Sequence, residues 1–408
     1  MKKTKKRLAI ILGIGIPVCV LVGAIVFVFF FGIPTFTKKP VYVTVDNSYR
    51  NNRNGYGVDV AGGDGTLFFT SYNRSPFNHG IYQINGNAAR RVYREGFSIL
   101  NPSIPFAPYV YRGKIIDTKN GKICSLNFSN GKFEPFLNPP LKDNEKLKEV
   151  FTSGGVLYYT DKSNNIYHYI DDNTIDIVAS KKLCGKNYVY DDFCGNTMYY
   201  IDKNTSQKTV PNDYEEDEFF DCGIRKIYEY DLSERKTKRC IDFSCLDDVL
   251  PKKNCALEDY FVAENQVYLI VNKLENLEDH YSKKVIEEDS MLQDIGYAEN
   301  MMIYRYDINI KKLKKLEEFG DSSIDINGYG SNVFIKVTKE NNYGYYGELV
   351  ERLYSFSKDS DEPKLFATKG GDSINDMYIF DEEWLYYTTP SNRLYRIHPD
   401  GSDNECVF

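Results

Sequence analysis

The chain has 408 residues, of which 42% are hydrophobic, and it contains 34 tyrosines. Its net charge is −7, and the first seven residues, MKKTKKR, carry five positive charges, so the remaining residues carry −12. An acidic remainder excludes nucleic acid as the main partner, because phosphate recognition needs a basic face. The length permits a large core, and the many tyrosines and phenylalanines favour β-structure.

A continuous apolar run, LAIILGIGIPVCVLVGAIVFVFFF, follows the basic tail of residues 1–7. More than about 18 apolar residues without a charge is typical of a membrane span, so we predict a transmembrane helix over residues 8–33 and a stem over 34–55. A cleaved signal peptide has a shorter apolar region and a small-residue cleavage site, which GIPTFTKK lacks. The basic tail outweighs Lys38 and Lys39, which predicts a single-pass protein of the cell membrane with its N-terminus in the cytoplasm and the rest outside.

A pair of short strands recurs throughout residues 56–408. The second member of each pair has sequences such as IYQIN and LYRIH, and it begins at Ile81, Ile123, Ile166, Ile227, Ile303, Leu353 and Leu394. The first member has sequences such as LYYT and VYLI, and each repeat has room for one further strand on either side. Four strands (a, b, c and d) in a repeat of about 42 residues are typical of propeller blades. The sequence therefore predicts an all-β fold, a seven-bladed β-propeller of four-stranded antiparallel blades.

Some of these repeats resemble those of a known family. LYYTD at 157–161, MYYID at 198–202 and LYRIHPDGS at 394–402 are similar to the YWTD-type repeats of lipoprotein-receptor propellers. The chain looks closest to the bacterial, membrane-anchored versions of that propeller, which are also similar to TolB-type propellers. It departs from the pattern because tyrosine or phenylalanine replaces the tryptophan of YWTD. The resemblance implies a binding or scaffold role, with no catalytic residues, cofactor or metal to carry over.

Length variation is concentrated in the connections between strands b and c of repeats 4, 5 and 6. These insertions are predicted at residues 202–225, 272–300 and 338–350. Strand direction places every b–c connection on the same rim of a propeller, and variable loops on a rigid scaffold commonly carry function. Surface insertions also drift freely, because they cost little closure entropy. In repeat 5, helical spacing predicts a helix with the apolar residues Leu274, Leu277, Tyr281, Val285, Leu292 and Ile295.

Aromatic residues in two of the insertions are the candidate binding residues. They are Tyr214, Phe219 and Phe220 in repeat 4 and Tyr343, Tyr345 and Tyr346 in repeat 6. Aromatic side chains contribute a large contact area at low entropic cost, and the neighbouring Gly and Asn residues are typical of adaptable binding loops. We therefore expect a protein, peptide or glycan partner on this rim.

Histidines and cysteines give no sign of a metal site. None of the four histidines has a His or Cys partner three or four residues away, and the cysteines lack a C-x-x-C spacing. Four cysteines, Cys222, Cys240, Cys245 and Cys255, map to the inserted rim in a domain predicted to lie outside the cell. They could form one or two disulfides, and free thiols are the alternative.

These observations favour a membrane-anchored, non-catalytic recognition or scaffold module. No nucleophile elbow, phosphate loop or dinucleotide fingerprint is present. One alternative is a propeller-type polysaccharide lyase or glycoside hydrolase, because glycan chemistry needs only two carboxylates about 5–9.5 Å apart. A purely structural component of the cell envelope is the other.

Overall fold

In the computed structural model of the chain, the first described residue is Val60. It describes residues 60–63, 66–71, 79–85, 88–94, 109–142, 145–185, 188–202, 204, 210–211, 219–220, 224–249, 255–276, 278, 283, 297–320, 322–340, 349–357, 360–366, 374, 377–379, 383–389 and 393–408. Among these residues, no helix combines the length and the apolar character that a membrane crossing requires. The predicted transmembrane helix at 8–33 and the stem at 34–55 lie outside the described residues.

The first three repeats consist of short strands. Their bounds are β1 (Val60–Gly63), β2 (Thr66–Ser71), β3 (Gly80–Asn85), β4 (Ala88–Arg94), β5 (Tyr109–Tyr111), β6 (Lys114–Lys119), β7 (Lys122–Asn127), β8 (Lys132–Leu137), β9 (Leu147–Ser153), β10 (Val156–Asp161), β11 (Ile166–His168) and β12 (Ile177–Ala179). A one-turn helix, α1 (Lys181–Cys184), leads to repeat 4, and Ser180 caps its N-terminus.

Repeats 4 to 7 add eighteen further strands and a second one-turn helix to the described chain. Their bounds are β13 (Tyr188–Cys194), β14 (Thr197–Asp202), β15 (Val210–Pro211), β16 (Phe219–Phe220), β17 (Lys226–Asp231), β18 (Lys236–Asp242), α2 (Leu246–Val249), β19 (Cys255–Ala263), β20 (Gln266–Asn276), β21 (Tyr297–Asp307), β22 (Lys312–Gly320), β23 (Ser323–Tyr329), β24 (Asn332–Glu340), β25 (Leu349–Phe356), β26 (Lys364–Leu365), β27 (Met377–Ile379), β28 (Leu385–Thr388), β29 (Leu394–Ile397) and β30 (Glu405–Cys406).

The fold is all-β and propeller-like, with four-stranded blades. In the described part of the chain, five sheets have four strands each, β15 and β16 form a separate hairpin, and one sheet has eight strands. The eight-stranded sheet consists of two four-stranded antiparallel halves, β1–β4 and β5–β8. A single parallel pair, Gly62 with Tyr109, joins the two halves.

The predicted strand pairs are present. The second member of each predicted strand pair, from the one at Ile81 to the one at Leu394, forms the third strand of a four-stranded antiparallel unit. These seven strands are β3, β7, β11, β17, β21, β25 and β29. The last repeat has a fourth strand of its own, because Tyr395 in β29 pairs with Cys406 in β30. The alternation and turn residues of the sequence are therefore sufficient to locate the strands.

Apolar clusters fill the spaces between consecutive repeats. Seven clusters occur among the described residues, and each is built from two repeats. Ile270 of repeat 5 and Ile335 of repeat 6 belong to one of them. Another contains Tyr386 of repeat 7 and Phe69 of repeat 1, so the last repeat packs against the first. Burial between two neighbours explains why the second strands read as nearly continuous apolar runs.

The fourth strands form the outer edge. The side chains of β18 and β22 are mostly exposed or half-buried, whereas those of β10 and β14 are mostly buried. A repeated turn joins the third and fourth strands: Asp231 Oδ1 accepts a hydrogen bond from the Ser233 amide at 2.8 Å. In repeat 6 the fourth strand, β26, has only two residues, which keeps the exposed edge short.

Two of the insertions begin as extensions of the sheet. In repeat 5 the b–c ladder continues to the pair Asn276–Tyr297, and in repeat 6 it continues to Glu340–Leu349. The ends of the ranges 272–300 and 338–350 are therefore paired strands. In repeat 4, β14 ends at Asp202 and β17 begins at Lys226.

The predicted helix of repeat 5 is wrong at its start. Leu274 lies in β20 and is buried, because the ladder with β21 extends past it. Glu278 and Lys283 are helical and exposed. The other five apolar positions of the predicted helix lie outside the described residues.

Candidate functional site

Polar and charged groups gather where second strands end and third strands begin. We call this edge of the molecule the b–c rim. Because second strands all run toward this rim and first strands start from it, residues at these positions in neighbouring repeats lie close together. On the described part of the rim, repeats 3 to 6 supply the groups that cover the ends of the apolar clusters.

Repeats 3 and 4 are linked at the rim by a tyrosine. The Tyr190 hydroxyl on β13 donates a hydrogen bond to Glu149 on β9. Lys148 Nζ lies 5.6 Å from the centroid of the Tyr190 ring and donates to Asn164 Oδ1 at 2.9 Å. A lysine and a carboxylate thus share one aromatic partner, and their charges are balanced.

Repeat 5 carries a larger network on the face that packs against repeat 4. Asn300 Nδ2 donates to Glu318 Oε1 at 2.7 Å and to Glu275 Oε2 at 3.2 Å. Lys273 forms an ion pair with Glu275, and Lys315 forms one with Glu318. We call these five residues the lysine-containing network. An amide joins two carboxylates, and each carboxylate has its own lysine.

The opposite face of repeat 5 has a second buried asparagine with glutamates near it. Asn272 Nδ2 donates to Glu258 Oε1 at 3.2 Å. Glu299 is paired with Leu274, two positions along β20 from Asn272, and therefore lies on the same face. We call these three residues the lysine-free network, because neither Glu258 nor Glu299 forms an ion pair within the described part of the chain.

Strand register places the two networks back to back. Lys273 is paired with Asn300 across the ladder, whereas Asn272 is paired with Met301. Directly paired residues share a face, and successive residues of a strand point to opposite faces. The lysine-containing network therefore lies above the cluster shared with repeat 4, and the lysine-free network lies above the cluster shared with repeat 6.

Both asparagines are buried and incompletely hydrogen-bonded. Asn272 and Asn300 are 4% and 3% exposed. The Oδ1 atom of each has no hydrogen-bond partner among the described residues. A buried polar atom without a partner costs about 1–3 kcal/mol, so each carbonyl oxygen is a place where a ligand or water is stabilised.

The two networks shift carboxyl pKa values in opposite directions. Burial raises the pKa of Glu299, the nearby Asn272 amide opposes this effect, and the charge of Glu258 adds to it. In the other network, hydrogen bonds from Lys315 and then from Asn300 lower the pKa of Glu318. The two shifts therefore have different main causes, burial for Glu299 and the lysine partner for Glu318.

A β-bulge positions Glu258. The register of β19 shifts between Leu257, which pairs with Val271, and Asp259, which pairs with Ile270, so that Glu258 is the extra residue. Bulges redirect a side chain and are frequent beside functional sites. The Glu258 side chain is exposed, so the lysine-free network is open to solvent on that side.

Repeat 6 has a group of one lysine and two carboxylates on the face toward repeat 7. Lys336 Nζ lies 2.9 Å from Asp325 Oδ2 and 3.9 Å from Glu351 Oε1. Lys336 and Glu351 are both buried. A buried charge requires a partner of opposite sign, and this group has one.

The six candidate contact residues are located only in part. Phe219 and Phe220 form β16, which pairs with β15 within the repeat 4 insertion. Tyr214, Tyr343, Tyr345 and Tyr346 lie outside the described residues. The repeats that carry the insertions are neighbours, because repeat 5 shares one apolar cluster with repeat 4 and another with repeat 6.

The predicted disulfide cluster contains thiols. Cys240, Cys245 and Cys255 are not bridged to one another, and Cys222 lies outside the described residues. Cys240 is exposed on the outer strand of repeat 4, whereas Cys255 is buried at the start of β19, where burial raises its pKa to about 11. A bridge to Cys222 stays a prediction.

The two histidines in predicted third strands make packing contacts. The His398 ring stacks on Trp384 with 3.8 Å between ring centroids, and His168 Nδ1 lies 3.3 Å from Asp176 Oδ2. Among the described residues, no three His, Cys, Asp or Glu side chains are grouped in a way that could hold a metal ion.

The two asparagine networks were not predicted from the sequence. In the sequence, each asparagine lies next to an apolar run: Asn272 follows VYLIV, and Asn300 precedes MMIYRY. A polar residue that ends an apolar run is also common at ordinary strand ends, so the pattern becomes specific only when the strand register is known.

Comparisons with known proteins concern the fold. No protein-family model and no curated protein sequence matches the chain. Among solved structures, tricorn protease is 11% identical with a TM-score of 0.44 and is matched over 92% of this chain and 36% of its own. YCF48 bound to D1 peptide is 8% identical, with a TM-score of 0.37 and coverages of 89% and 98%. BamB from Moraxella catarrhalis is 9% identical, with a TM-score of 0.33 and coverages of 83% and 83%.

Proposed function

We propose that the chain is a membrane-anchored recognition module that binds a protein, peptide or envelope glycan on its b–c rim, without catalysing a reaction. The observation that carries this proposal is the concentration of polar groups on that rim beside the insertions of repeats 4, 5 and 6. Rigid strands below and variable connections above are the usual arrangement of a binding surface.

The scaffold we propose is a closed ring of seven blades. Its support is the set of seven apolar clusters, each shared by two consecutive repeats, including the one between repeat 7 and repeat 1. Closure leaves only short protected strand edges, which makes the ring a rigid base. The apolar run and its flanking lysines support an anchor at residues 8–33, with the propeller outside the cell.

The rim opposite the insertions offers less room for a partner. In repeats 3 and 4 it is made of tight turns that contact each other, because Ser153 Oγ donates to the Gly195 carbonyl oxygen at 2.7 Å. Gly154 has a φ of 58°, and a Cβ atom there would lie 3.2 Å from the Gly195 carbonyl carbon. These turns support assembly of the ring.

The test replaces the repeat 4 and repeat 6 connections, residues 203–225 and 341–348, with the short connection of repeat 3, residues 162–165. Full-length chains with and without the replacements carry a photo-crosslinking residue at Glu278, on the insertion of repeat 5, and are irradiated in intact cells. We expect a discrete cross-linked species from the wild-type connections and at least a tenfold loss after replacement, with an unchanged melting transition.

A matched chain carries the photo-crosslinker at Glu234, which is exposed in a turn on the opposite rim. Equal cross-linking from Glu234, or cross-linking that survives both replacements, would place the site elsewhere and overturn the proposal.

Protease added to the same intact cells should degrade the propeller, and protection would overturn the proposed topology. Depolymerisation of isolated envelope polysaccharide by the purified chain would establish the enzymatic alternative instead.

A further inference from the structure

The chain enters its first described strand on the rim that carries the insertions. In β1, Gly63 pairs with Thr66 beside the turn into β2, so Val60, which pairs with Phe69, lies at the other end of the strand. That end is on the b–c rim, where first strands start. We propose that the b–c rim faces the membrane and binds a membrane-bound protein through a basic external domain of that protein. This inference rests on the proposed anchor and recognition role, and it names the partner.

The point of entry favours one orientation of the propeller. Val60 is buried, so its position on the b–c rim is fixed by the fold. A chain that leaves the membrane and joins the propeller on this rim holds the rim toward the membrane. For the opposite orientation, residues 34–59 would have to pass along the whole height of a blade, which is about 20 Å for a strand of six residues such as β2. A partner in the same membrane is already beside this rim at a high effective concentration, whereas a soluble partner would have to enter the gap.

The connections that leave this rim carry most of the excess negative charge of the chain. Residues 203–225 contain six acidic and three basic residues, residues 277–296 contain six and two, and residues 341–348 contain one acidic residue and no basic one. Their net charges of −3, −4 and −1 account for −8 of the −12 carried after the first seven residues. The strands that flank all three connections end on the b–c rim.

Described side chains at the ends of these strands agree with an acidic surface. Lys273 forms an ion pair with Glu275, so its charge is used within the fold. Glu258 and Glu278 are exposed. The rim therefore offers acidic groups to a partner.

An acidic rim beside a membrane favours one class of partner. Attraction to anionic lipid headgroups needs a cluster of about four to eight lysines and arginines, so the excess of acidic residues disfavours a lipid surface. A basic protein surface is complementary, and complementary charge raises the association rate and selects the partner. Short external loops of membrane proteins are poor in lysine and arginine, so the basic surface belongs to a larger external domain.

The first experiment measures which rim is closer to the membrane. Full-length chains carry a donor fluorophore at Glu278 or at Glu234 and are reconstituted into phosphatidylcholine nanodiscs that contain a lipid with an acceptor on its headgroup. We expect energy transfer from Glu278 to be at least twice as efficient as from Glu234. Equal transfer, or greater transfer from Glu234, would overturn the orientation and leave the recognition role standing. A chain that does not insert into the nanodisc would overturn the anchor and this inference with it.

The second experiment determines the class of partner. A protease site placed within residues 34–55 allows the propeller to be cut from its anchor after intact cells with the photo-crosslinker at Glu278 have been irradiated. We expect the cross-linked propeller to stay in membranes washed with alkaline carbonate, as a species of higher protein mass, and the propeller without a cross-link to be released. Release of the cross-linked species would assign a soluble or glycan partner. A retained species without added protein mass would assign a lipid, and either result overturns the proposal.

A charge variant tests whether the partner surface is basic. It removes four negative charges from the repeat 4 connection and should lower the yield of the cross-linked species at least threefold, because complementary charge raises the association rate. The matched control removes four from exposed positions on the opposite rim and should leave the yield unchanged. The substitutions are Glu215→Gln, Glu216→Gln, Asp217→Asn and Glu218→Gln for the variant, and Glu234→Gln, Glu264→Gln, Glu362→Gln and Asp403→Asn for the control. An equal loss in both chains, or no loss in the variant, would overturn the basic partner.

Discussion

The two faces of the β20–β21 ladder carry similar asparagine networks with different electrostatics. On each face a buried asparagine amide donates to a glutamate, and each asparagine keeps its Oδ1 atom without a hydrogen-bond partner among the described residues. Within the described part of the chain, lysines pair with these glutamates only on the face toward repeat 4.

The difference in charge affects folding stability. A network whose charges cancel within the protein contributes to folding. A carboxylate that is partly buried without a positive partner is less favourable. The pKa values shift accordingly, down for Glu318 and up for Glu299.

The largest expected effect comes from removing the lysines. The double variant Lys273→Met, Lys315→Met keeps the apolar stems and converts the lysine-containing network into a copy of the lysine-free one. In EDTA we expect a loss of about 1–2 kcal/mol in the free energy of unfolding, since both ion pairs are partly exposed. Chemical denaturation of the purified chain measures this loss.

The control for this variant is Lys238→Met, which removes a lysine from an ion pair with Asp231 on the outer strand of repeat 4. It should lower the free energy of unfolding by less than the double variant does, because it breaks one ion pair and not two. If the double variant is as stable as wild type in EDTA, the lysines do not compensate the carboxylates, and the comparison between the two faces fails.

Local sequence patterns were enough to find the strands of this fold. Alternating apolar residues and turn residues mark all seven third strands, because strand formation and hairpin turns are decided by neighbours in the sequence. The helix predicted from Leu274 is wrong at its start. Leu274 fits the start of a helical pattern, but it also fits a strand that continues, and the pairing with β21 decided the outcome.

The two asparagine networks could not be predicted in the same way. Glu258 and Asn272 are 14 residues apart, and Asn300 and Glu275 are 25 residues apart. Their contacts depend on the register of the ladder and on a bulge, and a shift of one residue would exchange the two faces. Which glutamates pair with lysines is decided by the assembled face, so no local pattern predicts it.

The same substitution at two glutamates should change the free energy of unfolding in opposite directions. At pH 7 in EDTA, Glu299→Gln should raise the free energy of unfolding, because it removes a charge that burial disfavours. Glu318→Gln should lower it, because it breaks the pair with Lys315. We expect changes of about 0.5–1 kcal/mol in opposite directions, measured by chemical denaturation. Two changes of the same sign would contradict the opposite pKa shifts of the two carboxyls.

The smallest effect is in the pH dependence, and it distinguishes the two carboxyls by their pH windows. The pKa of Glu299 is raised above its ordinary value of 4.5, so the folded state takes up its proton first, and stability increases as pH falls toward 4.5. The difference between wild type and Glu299→Gln in EDTA should therefore shrink between pH 7 and pH 5.5. The pKa of Glu318 is lowered, so its contribution is present above 4.5 and is lost only as pH falls below that value. The difference between wild type and Glu318→Gln should stay constant from pH 7 to pH 5.5. Each comparison is made against a single-residue variant, so the contributions of the other titrating groups cancel. If the stability difference changed with pH for Glu318→Gln but not for Glu299→Gln, the pKa shifts assigned to the two glutamates would be reversed.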